Sequence, residues 1–191
     1  MVDDKVFPDE KWKKLINTER ENSQSTDKFF EISKPSEGDI WADIGCGPGY
    51  FTLPLAKKVK NIFAVDLSTN MLEVCRRRAL EESIENIEYI QSAGEELGIL
   101  DSTVDKALLA NVFHEFSDRK KAVGEVNRIL QNGGKSFVID WKYEDMPFGP
   151  PLNHRIPLHE IIGEFEKGGF KLVENTDTYK QFYMLCFLKI S

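Results

Sequence analysis

Cysteine, histidine and long apolar runs are all scarce in this sequence, and each scarcity removes a class of protein. Three cysteines in 191 residues, Cys46, Cys75 and Cys186, are too few and too scattered for a disulfide framework. No C-x-x-C occurs, and no cysteine stands near a histidine at zinc spacing, so no metal site is expected. No apolar run approaches the roughly 18–20 residues of a membrane-spanning helix. The opening residues, Met1-Val2-Asp3-Asp4-Lys5, lack the apolar core of an export signal, which makes the cytoplasm the expected location. Basic charge is short too: 25 Lys and Arg face 32 Asp and Glu, a net charge of −7. A broad nucleic-acid surface needs clustered cations and is not expected. The small cluster Lys57-Lys58-Val59-Lys60 reads as the solvated end of a helix.

What is present is the balance of an ordinary folded chain, 41% hydrophobic and 30% charged. Its length suits one domain over 1–191, with no linker or repeat to divide it. Short aliphatic runs alternate with longer amphipathic stretches, the rhythm of βαβ units on a mostly parallel sheet. Helices are expected over 8–18, 25–32, 49–60, 69–80, 119–130 and 158–167, and strands over 40–44, 61–65, 87–91, 104–110 and 135–141. Gln131-Asn132-Gly133-Gly134 reads as a helix C-cap. Two last strands, 170–174 and 179–189, are joined by a short turn and should pair antiparallel. Residues 1–34 would then form a helical cap on a core spanning 39–191.

The chemistry concentrates where the first strand runs into Gly45-Cys46-Gly47-Pro48-Gly49-Tyr50. Glycine tolerates positive φ and lets a backbone approach a ligand closely. A helix starting behind the turn would direct free N–H groups over it. Asp43, two residues before the first glycine, ends a strand at the edge where α/β sheets hold ligands. Its carboxylate suits a cation such as the amino group of S-adenosylmethionine (SAM). Asp66 follows 21 residues after Gly45, the spacing at which an acid reaches the ribose hydroxyls of an adenosine. A nicotinamide dinucleotide needs Gly or Ala at the sixth position of the turn, and Tyr50 stands there instead.

Asp43-Ile44-Gly45-Cys46-Gly47-Pro48-Gly49 resembles the D-x-G-x-G-x-G motif of the class I SAM-dependent methyltransferases. The resemblance runs over nearly the whole chain from Asp39. Ala64-Val65-Asp66-Leu67-Ser68 is similar to the family's second motif, with Met71 where a residue often packs on the adenosine. Leu130-Gln131-Asn132-Gly133-Gly134-Lys135 resembles the turn before strand five, and Asn111-Val112-Phe113-His114-Glu115-Phe116 resembles the small-molecule, quinone-biosynthesis or type 11 branch. The resemblance implies a three-layer α/β/α Rossmann-like fold, a seven-stranded sheet with the last strand antiparallel. It also implies SAM as cofactor, held by Asp43, Gly45, Cys46, Gly47, Tyr50, Asp66, Leu67 and Met71, with the loop after strand three, Ala93-Gly94-Glu95, reading adenine. The family's usual Asp in that loop is replaced by Ala93, leaving the task to backbone groups or to Glu95, which equally suits a solvated helix start.

Methyl transfer from a sulfonium is an in-line displacement, so the protein mainly positions the acceptor and excludes water. A general base is needed only if the acceptor loses a proton. Asn111 is placed to hold the cofactor's methionine part or the acceptor, and His114 is the candidate base, against the alternative of a structural histidine. Asp140 and Trp141 end strand five, either as functional groups or as a buried acid and a packing ring. His154 and Arg155 are candidate pocket liners, and Arg20 a candidate for the methionine carboxylate. Phe7, Trp12, Leu15 and Ile16 make an apolar helical face, and the N-terminal helices are candidates for a lid. Cys46, Cys75 and Cys186 are not expected to converge. The expected activity is methylation of a small molecule; a protein or RNA acceptor, or SAM binding without catalysis, are the alternatives.

Overall fold

The computed structural model describes residues 9–190, so Phe7 and Pro8 lie outside the described residues. Seven strands form one sheet: β1 (Ile40–Ile44), β2 (Asn61–Asp66), β3 (Ile87–Gln91), β4 (Val104–Ala110), β5 (Leu130–Trp141), β6 (Phe170–Thr176) and β7 (Phe182–Lys189). Their order is β3-β2-β1-β4-β5-β7-β6, with β7 antiparallel to both neighbours and the other pairs parallel. Period-two alternation sorts the buried strand residues into two cores. Trp41, Ile62, Ala64, Leu108, Phe137 and Ile139 face one side, packing on helices α2 (Thr26–Ser33), α3 (Thr52–Ala56) and α4 (Thr69–Glu81). Ala42, Ile44, Ala107, Leu109 and Val138 face the other, under α5 (Arg119–Ile129) and α6 (Leu158–Lys167). This is the expected three-layer Rossmann-like architecture. No helix among the described residues is long and apolar enough to cross a membrane.

Four local expectations need correction. The helix expected over 8–18 is a 3₁₀ segment, Asp9–Ile16, followed by a separate helix α1 (Thr18–Ser23) that Asn17 caps through its side chain. α1 buries none of its residues fully, so no apolar stripe marked it. The helix after the glycines shrinks to Thr52–Ala56, because Gly49 still carries φ +83 and the chain turns again at Lys57. Gly133-Gly134 does not cap α5: Leu130 already pairs with Val104, and residues 131–134 bulge before Lys135 pairs with Lys106. The last strand starts at Phe182 rather than 179, since Tyr179 turns inward and its hydroxyl donates to the Ser25 carbonyl (2.7 Å).

The N-terminal helices are not one uniform cap. Phe29 of α2 is fully buried, its ring centroid 5.4–6.0 Å from those of Trp41, Phe51 and Phe137, so α2 is part of the core. α1 buries no residue fully and is held by hydrogen bonds and by the Arg20 guanidinium over the Tyr50 and Phe51 rings.

Candidate active site

Parallel β1, β2, β4 and β5 end along one sheet edge, and the strand order reverses between β1 and β4, the usual ligand crevice of such sheets. The glycine turn lies there. Gly45, Gly47 and Gly49 all have positive φ (+73, +53 and +83), but for different reasons. A Cβ on Gly45 would strike Val112 at 2.4 Å, and one on Gly49 would strike Leu53 and Cys75 at 2.5 and 2.6 Å. Those two glycines serve packing. A Cβ on Gly47 would meet only Leu15 Cδ1 at 3.7 Å, so this glycine presents bare backbone toward the crevice.

The turn's own amides at Gly45, Cys46, Gly47 and Gly49 are bonded within the protein. Gly45 and Cys46 N–H both donate to the Val65 carbonyl (2.8 and 3.0 Å), and Gly49 N–H donates to Cys46 (3.1 Å). Gly47 N–H donates to Asp66 Oδ2 (2.7 Å), while Ser68 N–H donates to Asp66 Oδ1 (2.9 Å). Asp66 therefore ties β2 to the turn. Beside it Leu67 is 58% exposed, an apolar face at the crevice, whereas Met71 is buried beneath.

Asp43 is 2% exposed, with Oδ2 accepting from the Thr52 hydroxyl (2.6 Å). Burial pushes its carboxyl up to about 6, despite the Thr52 hydrogen bond and the nearby Arg20 charge, and Asp66 adds to the rise. Arg20, on α1, lies with its guanidinium 4.5 Å from the Tyr50 ring centroid, and burial pulls it down to about 10. Tyr50 is an anchor for α1: its hydroxyl donates to Glu21 Oε2 (2.6 Å) and reaches the Gln24 carbonyl (2.8 Å).

Asn111 follows β4 in the left-handed region, φ +58, and its side-chain amide pairs reciprocally with that of buried Gln24 (2.9 and 2.8 Å). Both ends of the amide are thus spent on the N-terminal segment. No sequence signal pointed to this contact across 87 residues. In the loop after β3, Gly94 is packed under Phe116, and the Ala93 carbonyl accepts from Glu96 N–H and Ser92 Oγ. Glu95 Oε1 accepts from Ser117 and Asp118 N–H (3.1 and 3.2 Å), a tie between loops rather than a free helix-start acid. The three cysteines do not converge: Cys46 and Cys75 lie in one core cluster, where the neighbouring Cys75 thiol and burial raise the Cys46 pKa, while Cys186 stands apart on β7.

His114 sits in a 3₁₀ turn after β4 and is 6% exposed. Asp140, at the end of β5, accepts from the His114 backbone N–H (3.0 Å) and meets ring Nδ1 at 2.7 Å. Burial favours the neutral ring, but the Asp140 charge and hydrogen bond, helped by Glu115, hold His114 above its ordinary value. Beside this pair opens a cavity of about 250 Å³, whose lining includes His114, Arg119, Tyr143, Asn153, His154 and Arg155. Arg155 is buried and donates to the carbonyls of Lys142, Glu144, Phe148 and Pro150, so it folds the loop that walls the cavity. Arg119 pairs with Glu164 (2.9 Å).

A Rossmann-like sheet of this strand order, a bare glycine at its crevice and acids ending β1 and β2 define the class: a SAM-dependent methyltransferase. Residues 42–138 match the type 11 family model, described as a methyltransferase domain, and the chain belongs to that family. It is 34% identical over 122 residues to the uncharacterized methyltransferase YcgJ of Bacillus subtilis, covering 61% of this chain and 48% of that one. It is 30% identical over 115 residues to the ubiquinone/menaquinone biosynthesis C-methyltransferase UbiE of Zymomonas mobilis, covering 60% and 48%. The chain thus spans about half the length of these curated relatives. A SAM-dependent methyltransferase structure from Aquifex aeolicus superposes with a TM-score of 0.90, covering 97% of this chain and all of that one at 24% identity. The residues fit SAM: a buried acid for its ammonium, an acid ending β2 for its ribose, and open backbone at Gly47 for close approach.

Proposed function

We propose that this protein methylates a small polar molecule, with His114 taking the acceptor's proton. The observation that carries this is the His114–Asp140 pair, set on the crevice edge and bordering the cavity. Asp43 would hold SAM's ammonium, Asp66 the ribose hydroxyls and Leu67 the adenine face, while bound SAM supplies a methyl already activated by its positive sulfur. Gly45, Cys46, Tyr50, Gly94, Glu95 and Asn111 act indirectly, by bracing the turn, α1 and the neighbouring loops. Asp140 fixes the ring with Nδ1 protonated, leaves Nε2 to accept a proton and stabilises the imidazolium that results. The walls are mainly polar, with the Tyr143 hydroxyl, the Asn153 amide, the His114 and His154 rings and the Glu160 carboxylate beside Ile156 and Pro157, which suits a polar acceptor better than the quinone named for the Zymomonas relative.

Turnover against a panel of phenols, hydroxy acids and amines tests the reading. A His114→Gln variant is expected to lose roughly 10²- to 10⁴-fold in kcat with SAM affinity unchanged. Wild-type activity is expected to rise with pH through a value above the ordinary histidine range, and Asp140→Asn to move that limb to lower pH. Unchanged turnover in His114→Gln eliminates the base. SAM binding without turnover on any metabolite, protein or RNA fraction eliminates the enzyme reading. Equal SAM binding by wild type and Asp66→Ala removes the ribose role.

A further inference from the structure

β4 pairs with β5 as far as Ala110, and the chain then bends through Asn111 into the 3₁₀ turn Phe113–Glu115 that carries His114. Asn111 makes that bend at φ +58, a left-handed backbone that a residue with a Cβ enters at a cost. Such a conformation persists only where its surroundings hold it. On the backbone side, the Asn111 N–H donates to the Ile139 carbonyl (2.7 Å). On the side-chain side, Gln24 Nε2 donates to Asn111 Oδ1 (2.9 Å) and Asn111 Nδ2 donates to Gln24 Oε1 (2.8 Å). Gln24 is itself fixed at 1% exposure: its N–H donates to the Arg20 carbonyl (2.7 Å) and its carbonyl accepts from the Tyr50 hydroxyl (2.8 Å). Beyond the bend the path to His114 is short and tightly packed. Val112 fills the space where a Gly45 Cβ would stand, Phe113 is fully buried, and the His114 N–H reaches Asp140 Oδ2 (3.0 Å). A shift at Asn111 is therefore carried to the histidine rather than absorbed between them.

We propose that Gln24 is a positioning residue for His114, acting through the left-handed bend at Asn111. The reciprocal amide pair fixes the plane of the Asn111 side chain as well as its place, because each amide both donates and accepts. The bend so held sets the direction of Val112 and Phe113, and that direction brings the His114 ring onto Asp140. Gln24 thus shapes the site without touching a reacting atom. Only its effect on turnover rests on the reading of His114 as the base; its effect on the ring does not. The charged and titratable groups facing His114 are Asp140 from β5, Glu115 from its own turn, Arg155 from the loop after β5, and Arg119, His154 and Glu160 around the cavity. A change at residue 24 alters none of them, so a change in the ring's titration reports its placement.

The test starts on the protein without ligand. Nuclear magnetic resonance titration of the His114 ring should give a midpoint above 6.5 in wild type. Gln24→Met keeps the side chain's volume and removes its amide, so the midpoint should fall toward 6.5 as the ring loosens from Asp140. Hydrogen exchange over residues 111–116 should quicken in the same variant. Adding Asn111→Gly to Gln24→Met supplies a left-handed residue that needs no clamp, and should bring the midpoint part of the way back. On any acceptor turned over in the panel above, kcat should fall roughly 10- to 100-fold in Gln24→Met with the KM for SAM nearly unchanged, and recover in part in the double variant. A lower melting temperature with the His114 midpoint and the exchange both unchanged makes the pair a structural tie and overturns the proposal. No recovery in the double variant overturns the route through Asn111. If Gln24→Met moves the midpoint while His114→Gln keeps full turnover, the link from Gln24 to His114 stands and the base reading falls.

Discussion

Asp43 shows at the scale of one residue what a buried acid costs in stability. Its carboxyl titrates near 6 in the folded chain, against an ordinary value near 3.8, because burial penalises the charged form. The folded state therefore binds this proton more tightly than the unfolded chain. The contribution is fully present below pH 3.8 and is lost as pH rises through about 6. Asp43→Asn removes that dependence and keeps an acceptor for Thr52. It is expected to raise stability at pH 8 by roughly 2–3 kcal/mol relative to wild type, with little change near pH 4. Denaturant melts at the two pH values check this; equal shifts at both would show that desolvation of the charge is not the cause. The same substitution should weaken S-adenosylhomocysteine binding. His114 has the opposite chemistry but the same sign, since its raised pKa adds stability below the ordinary histidine value that fades as pH climbs past the folded one.

The glycine turn separates packing from binding at the scale of an element. Gly45→Ala places a methyl within 3.0 Å of three Val112 atoms and forces a left-handed alanine, so it should cost about 3 kcal/mol or more. Gly47→Ala carries the backbone strain without the collision, roughly 1–2 kcal/mol, but sets its methyl where a ligand would approach. Thermal melts should rank Gly45→Ala well below Gly47→Ala, while calorimetry should find cofactor binding lost in the folded Gly47→Ala. Equal melting of the two variants would contradict the division of labour. The turn is braced from below as well, with Arg78 of α4 donating to the Pro48 carbonyl. Gly49 leaves the space that Leu53 and Cys75 occupy. The element's stiffness thus comes from side chains under it, not from a long helix behind it.

For the molecule as a whole, the N-terminal segment divides into a helix that belongs to the core and a polar helix that lies outside it. Phe29→Ala empties a fully buried position between Trp41, Phe51 and Phe137 and is expected to cost about 3–5 kcal/mol in a single cooperative transition. A denaturant melt with an unchanged m value would agree; a separate early transition confined to α2 would show that the segment folds apart from the sheet. α1 carries no such ring and buries none of its residues. A core helix and a polar surface helix therefore lie within the same 25 residues between Asp9 and Ser33.

Much of this was legible from residue order because it depends on neighbours in the chain. The bounds of β1 and α6, the Ser68 cap and the Asp43-to-Asp66 spacing follow from side-chain period, turn chemistry and reach, all local properties. α1 escaped because a polar helix with no buried stripe leaves only its Asn17 cap as a sign. The contacts that make the site specific were decided by the tertiary structure. Placing β4 between β1 and β5 brings His114 onto Asp140 from 26 residues away, and docking α1 brings Gln24 onto Asn111 from 87. Period tells which face a residue occupies, but not which partner waits across it. That partner is set by strand order and helix docking, where burial raises the cost of every unmatched charge and hydrogen bond.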